Sequence, residues 1–272
     1  MDYEAFYGLE REPFGDIPDP EFFYSGPEHI RAFYKLIHVA RKGRGLGVLI
    51  GDVGTGKTTI ARRILRELEN SDGFEAGLLV LTHDEFDEIS FLVRLSSLLG
   101  IEPSGSKTSI LSSITAKLAE NYQNGKRTVL MIDEANNLKN PEIMEEIRGL
   151  LNLELSSGRF VSFILSGMPS LLESMKQNAS LYQRINTVVK LKPLSPASTR
   201  EYIRHRIKTA GGNEEIFTET AYDLIYRFSQ GRPRLINVIC DNALLEGALM
   251  KKKPIDASVI ETVVEELGLR EG

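Results

Sequence analysis

A single cysteine, Cys240, in 272 residues leaves no internal disulfide framework to staple a fold, and it fits a reducing compartment. Its place in the apolar stretch Leu235-Ile236-Asn237-Val238-Ile239-Cys240 points to a core thiol, with a reactive thiol as the other reading. The four histidines, His29, His38, His83 and His205, have no spacing that suggests a metal site. No apolar run approaches the roughly 20 residues that a membrane helix needs, and no signal peptide opens the chain. The expectation is a soluble cytoplasmic protein with no direct membrane insertion. Positive charge is not in excess either: 33 Lys and Arg face 38 Asp and Glu, a net charge of -5. That balance gives no global electrostatic pull towards nucleic acid or anionic lipid. Internal repeats and low-complexity segments are absent.

What the chain does have is a phosphate-binding pattern. With 42% hydrophobic residues it is long enough for one large α/β domain and a smaller one. Gly51-Asp52-Val53-Gly54-Thr55-Gly56-Lys57-Thr58 meets G-x-x-x-x-G-K-[ST] at every fixed position, and an apolar run over residues 47–50 leads into it. The glycines let backbone N–H groups turn inward around phosphates, Lys57 reaches β and γ oxygens, and the Thr58 hydroxyl suits Mg²⁺. A helix predicted over 58–69 adds its positive dipole end to the same anion site. Residues 51–59, Thr59 included, are therefore the expected contacts of ATP.

Downstream, Thr128-Val129-Leu130-Met131-Ile132 runs into Asp133-Glu134 and reads as a buried parallel strand with two carboxylates at its C-terminal end. Ligands of open α/β sheets sit just outside that end, so Asp133 is expected on the Mg²⁺ side and Glu134 as the group that polarises an attacking water. Taken alone, the run is also compatible with an ordinary strand and a solvated turn. Beside the phosphate pattern, the second acid argues for hydrolysis.

Strands alternate with helices elsewhere, the pattern of a parallel sheet covered on both faces. Strands are expected over 76–81, 160–165 and 187–191, and helices over 89–99, 110–122 and 141–155, the last opened by Pro141. From Ser195 the pattern is purely helical. Ser195 caps a helix with Pro196 at its first position, Thr218 caps the next with Phe217 and Tyr222 placed for a hydrophobic staple, Pro233 starts a third and Asp256 a fourth. The expected division is an N-terminal arm over 1–45, an α/β core over 46–193 and a helical lid over 194–272. Phe14, Phe22, Phe23 and Tyr24 lie in a proline-rich, largely extended part of the arm that must wrap the core to bury them.

Gly231-Arg232-Pro233-Arg234 sets an arginine at a helix N-terminus, against the local dipole. That placement is unfavourable without a nearby anion. A γ-phosphate is the natural candidate, so Arg234 would sense ATP against ADP; a surface arginine on a capped helix is the alternative.

The phosphate loop, Leu130-Met131-Ile132-Asp133-Glu134-Ala135, Gln183-Arg184-Ile185 and Gly231-Arg232-Pro233-Arg234-Leu235-Ile236-Asn237 together resemble an AAA+ ATPase. More narrowly, Phe6-Tyr7-Gly8-Leu9, Pro13-Phe14, Pro18-Asp19-Pro20 and Tyr202-Ile203-Arg204-His205-Arg206 are similar to the general secretion pathway protein A type, with relatives from pilus and exopolysaccharide loci. The resemblance implies a P-loop parallel sheet sandwiched by helices with a C-terminal helical lid. It implies that Arg184 reaches the ATP of a neighbouring subunit as an arginine finger, the alternative being a helix C-terminal arginine that satisfies carbonyls. It places Pro13, Phe14 and Tyr24 beside the adenine, the plain alternative being aromatics that staple the arm. Where the family usually has a glutamine after the glycine, this chain reads Ser166-Gly167-Met168-Pro169, which leaves Ser166 as the best substitute for a polar sensor.

Larger members of that family continue into a membrane helix and a peptidoglycan-binding domain, which these 272 residues do not include. The implied function is an ATP-hydrolysing, nucleotide-dependent homo-oligomer that works with a protein partner in assembling a secretion, pilus or exopolysaccharide machine. A DNA-associated regulator of the transposition type ranks second, with only Lys251-Lys252-Lys253 as local support. A nucleotide-gated adaptor that barely hydrolyses ATP is a third reading.

Overall fold

Five apolar runs form one parallel sheet in the computed structural model, which describes residues 2–15, 19–82, 87–138, 140–156 and 158–269. The strands are β1 (Leu46–Ile50), β2 (Phe74–Val80), β3 (Arg127–Asp133), β6 (Val161–Gly167) and β7 (Ile185–Lys190), in the order β2-β3-β6-β1-β7. Every residue of β1 and β6 is buried, and in β3 only Arg127 is exposed. Strands covered on both faces need side chains that tolerate burial whichever way they point, which is why these segments read as continuous apolar runs. The edge strands β2 and β7 are only partly buried.

Residues 30–53 and 60–191 form one compact unit around this sheet. Its helices are α2 (Pro27–Lys42, from Ile30 onward), α3 (Lys57–Glu69, from Ile60 onward), α4 (Glu88–Leu98), α5 (Lys107–Gln123), α6 (Pro141–Leu151), α7 (Pro169–Gln177) and α8 (Ala179–Tyr182). Phe91, Leu95, Ile114, Leu118 and Ile147 close one core with Leu130, Ile132, Phe163 and Leu165 of the sheet. Gly47 admits α2 closely: a Cβ there would sit 3.2 Å from Leu36 and 3.6 Å from Val39. Registers Val80↔Asp133, Ile132↔Leu165 and Ile50↔Gly167 bring the carboxyl ends of these strands to one edge.

Residues 1–29, 54–59 and 192–272 form the other unit. It holds α1 (Tyr3–Tyr7), α9 (Pro196–Thr209), α10 (Glu219–Ser229), α11 (Pro233–Leu249) and α12 (Ala257–Glu266). The capping signals take their expected places. The side chains of Ser195, Thr218 and Asp256 accept from the amides of Ser198, Ala221 and Ser258, and the rings of Phe217 and Tyr222 lie 6.0 Å apart.

Two expectations are corrected, and the arm carries helices on either side of its aromatic stretch. Asp2 caps α1, and the 16 residues of α2 carry buried apolar residues at 33, 36, 37 and 40, a helical spacing. Phe14 and Phe22, expected to be buried against the α/β core, lie with Tyr3 and Tyr7 among Tyr202, Ile203, Ile236 and Cys240 of the helical unit. Arg206 organises that packing, donating to the Pro13 carbonyl and to the Tyr202 hydroxyl with its guanidinium 4.9 Å from the Phe22 ring centre. Finally, α6 ends at Leu151 and not near 155, because Glu154–Leu155 (β4) pairs with Gly158–Arg159 (β5) in a short hairpin. Gly158 has φ +145°, a conformation that a side chain would strain. Pro18 of the arm's sequence signature and His83 lie outside the described residues.

Candidate functional site

The phosphate loop is a strand-to-helix turn, as its sequence predicts. β1 ends at Ile50, and the next amide, of Gly51, donates to the Gly167 carbonyl of β6 at 3.2 Å. Asp52 and Val53 are exposed, Val53 to 58% for an apolar side chain. Gly54 and Gly56 take φ of +77° and +96°, which a residue with a Cβ adopts only under strain. α3 then begins at Lys57, so Lys57, Thr58 and Thr59 occupy its first turn, where amides lack helical partners and favour an anion. Thr55 and Lys57 are buried, Gly56, Thr58 and Thr59 half-buried.

Within the helical unit, two elements hold the Gly54–Thr59 segment. The backbone amide of Arg234, in the first turn of α11, donates to the Gly54 carbonyl at 3.2 Å. A Cβ on Gly54 would lie 3.0 Å from the Arg234 Cβ. From α2, His29 Nε2 donates to the Thr55 carbonyl at 3.0 Å. Burial holds the imidazole below its ordinary pKa, partly offset by the Thr55 contact and the Glu28 carboxylate. Arg234 itself is exposed. Its helix start is fixed by Gly231, at φ +70°, whose missing side chain makes room for the Leu194 backbone: the Leu194 amide donates to the Gly231 carbonyl at 2.7 Å.

At the sheet's carboxyl edge, Asp133 closes β3 with 1% exposure. Glu134 follows at φ 53°, ψ 35°, one of three described non-glycine residues with positive φ. A left-handed glutamate costs roughly 1 kcal/mol or more, and such strain is retained where a side chain must be aimed. It opens a short 3-10 turn, Ala135–Asn137, whose last amide donates to the Glu134 carbonyl at 2.9 Å. Asn136 ties that turn to β6, its Oδ1 accepting from the Met168 amide at 3.0 Å. A Cβ on Gly167 would come within 2.9 Å of the same oxygen. Ser166, one residue back and in register with Leu49, is buried with a hydroxyl that has no hydrogen-bond partner among the described residues. The sequence reading missed two residues here. Asn136 had a signal, a polar residue two places after the paired acids; His29 had none, since no local spacing marks a histidine that binds a backbone carbonyl 26 positions on.

Arg184 lies between α8 and β7, half-buried, with its amide donating to Leu181 at 2.9 Å. Its guanidinium makes no hydrogen bond or ion pair among the described residues. The expected adenine contacts separate. Phe14 is 2% exposed inside the helical core, which leaves no ring face for a base. Tyr24 stays half-buried, its ring edge-on to Tyr202 at 5.8 Å and tilted to His205 at 5.9 Å.

A parallel sheet whose first strand feeds a phosphate loop and whose third ends in paired acids, with a helical unit after it, defines the AAA+ fold class. Residues 40–175 match the AAA domain family, half of the chain, and the chain belongs to that family. It is 34% identical over 254 residues to the general secretion pathway protein A of Aeromonas hydrophila, a match covering 89% of this chain and 44% of that protein. The chain thus spans under half the length of this curated relative. Among solved structures it resembles the ORC2 protein of Aeropyrum pernix, with TM-score 0.74 and 16% identity over 94% of this chain and 72% of that one. It also resembles the ORC1 protein of Aeropyrum pernix in complex with DNA, with TM-score 0.70 and 16% identity over 94% and 69%. At such identities the likeness is one of fold. No helix among the described residues is long and apolar enough to cross a membrane.

Proposed function

We propose that the chain binds Mg-ATP through residues 51–59, hydrolyses it to ADP and phosphate, and uses the nucleotide state to govern assembly of a bacterial envelope machine for secretion, pilus or exopolysaccharide export. The 34% identity to general secretion pathway protein A across 89% of the chain carries the pathway half of this reading. The phosphate loop and the strained Glu134 support the chemistry.

Each residue has a role that its surroundings suit. Glycine backbone amides and the first turn of α3 bind phosphate oxygens, and Lys57 supplies the positive charge. Mg²⁺ takes hard oxygen ligands, one or two from protein and the rest from phosphates and water, and the Thr58 hydroxyl and the buried Asp133 carboxylate are donors of that kind. When bound, the metal neutralises charge on the β and γ oxygens. Glu134 orients and polarises the attacking water. Arg184, with no partner inside its own chain among the described residues, completes the site of a neighbouring copy, so turnover depends on homo-oligomer formation. Arg234 reads the γ-phosphate at the start of α11, and a separate protein partner receives the resulting change in subunit contacts.

A DNA-associated role is the second reading, favoured by the fold shared with an ORC1 protein solved in complex with DNA. Its local support is thin: of Lys251-Lys252-Lys253, Lys252 is engaged with Asp256 at 3.1 Å. Sedimentation velocity of Glu134→Gln with Mg-ATP, with and without duplex DNA at two salt concentrations, separates the readings. Assembly on ATP alone supports the envelope role. Assembly that requires DNA and fades steeply with salt overturns it in favour of the DNA role.

A further inference from the structure

The Thr55 carbonyl and the Gly56 N–H belong to one planar trans peptide, so they point in opposite directions. Whatever holds the carbonyl outward therefore aims the amide inward. The holder is His29, whose Nε2 lies 3.0 Å from the Thr55 oxygen. A carbonyl only accepts, so the proton sits on Nε2 and the imidazole is the neutral Nε2–H tautomer. The other ring nitrogen, Nδ1, is buried with no hydrogen-bond partner among the described residues. A second proton there would be a buried unsatisfied donor, which keeps the ring neutral. The ring also lies against the loop itself, since a Cβ on Gly56 would meet Nε2 at 2.9 Å. The preceding peptide is held the same way from α11, where the Arg234 amide fixes the Gly54 carbonyl and so orients the Thr55 N–H. Two successive peptide planes of the loop are thus set from outside, one by the arm and one by the lid.

We infer that His29 is a positioning residue for phosphate binding: its Nε2–H bond to Thr55 turns the Gly56 amide towards the bound diphosphate or triphosphate. The inference rests on the reading of residues 51–59 as a phosphate loop. His29 touches no phosphate in this account. It acts through the backbone, and it links the N-terminal arm to the affinity of the loop.

The test compares ADP and ATP binding, by calorimetry with Mg²⁺, in the parent, His29→Phe, His29→Gln and Lys57→Ala. His29→Phe keeps a ring and removes the donor, and both affinities should fall about tenfold. His29→Gln retains an N–H near the Nε2 position and should recover to within about threefold of the parent. A space-filling role would not be rescued by glutamine. Parental affinity in His29→Phe, or equal loss in the two His29 variants, overturns the inference while leaving the loop reading intact. A parent that binds neither nucleotide, like Lys57→Ala, removes the loop reading and this inference together. Nitrogen-15 resonances of the parent's imidazole check the same point without substitution: a protonated Nε2 and a bare Nδ1, with the Gly56 amide shifting on ADP addition, are expected. The Nδ1–H tautomer would overturn the assignment.

Discussion

The backbone amide of Arg234 donates to the carbonyl of Gly54 at 3.2 Å, so the start of α11 is joined to the phosphate loop by main chain as well as through any ligand. Gly54 stands at φ +77°, and a Cβ there would make a tight 3.0 Å contact with the Arg234 Cβ. Gly54→Ala combines left-handed strain with this close approach. It should cost about 1–3 kcal/mol of stability and lower ATP affinity at least tenfold. Thermal melts with and without Mg-ATP check both, and parental values in each would show that the join is dispensable.

Gly231 is the more severe case. At φ +70°, a Cβ would lie 2.9 Å from the Leu194 carbonyl carbon and closer still to its oxygen, both backbone atoms that cannot swing away. Gly231→Ala should destabilise the helical unit by about 3 kcal/mol or more, read as loss of its cooperative urea transition.

Glu134 pairs strain with proposed chemistry. Replacing it by glycine removes the left-handed penalty, so Glu134→Gly should raise stability by about 0.5–1 kcal/mol while abolishing phosphate release. Glu134→Gln keeps the strain and should melt near the parent. A less stable glycine variant would indicate that the glutamate side chain contributes more by packing than its backbone costs.

Burial lowers the pKa of His29 from 6.5, so the sign of its linkage is fixed. Above that value both folded and unfolded imidazoles are neutral. Below it the unfolded chain takes up a proton that the folded chain refuses, and stability falls as pH drops from about 6.5 towards the lowered folded value. His205, held down by burial and Arg206, slopes the same way. His29→Gln should therefore flatten, without removing, the acid-side loss of stability measured by urea titration between pH 8 and 5. The Glu28 carboxylate and the Thr55 carbonyl face the ring and moderate the effect.

The central strands were legible because they are buried on both faces and carry few polar residues: β1, β3 and β6 read as apolar runs, and the loop and acids sit at their ends. The caps of α9, α10 and α12 were equally local signals. The helices flanking the arm's aromatic stretch went unread, although Pro27 at the start of α2, where its missing N–H costs nothing, is a local signal for one of them. The arm's aromatics found the helical core through Arg206, a contact across 193 positions that no local pattern encodes. His29 and Asn136 matter through backbone carbonyls and amides far along the chain, and motif spacing is silent about such partners.

The most direct test of the central claim is ATP binding and phosphate release, measured across protein concentration, for the parent, Lys57→Ala, Glu134→Gln and Arg184→Ala. The account predicts Mg-dependent turnover that rises with concentration in the parent, lost binding in Lys57→Ala, retained binding without turnover in Glu134→Gln, and retained binding without the concentration-dependent gain in Arg184→Ala. A parent that releases no phosphate at any concentration, or an Arg184→Ala that matches it throughout, would contradict the account.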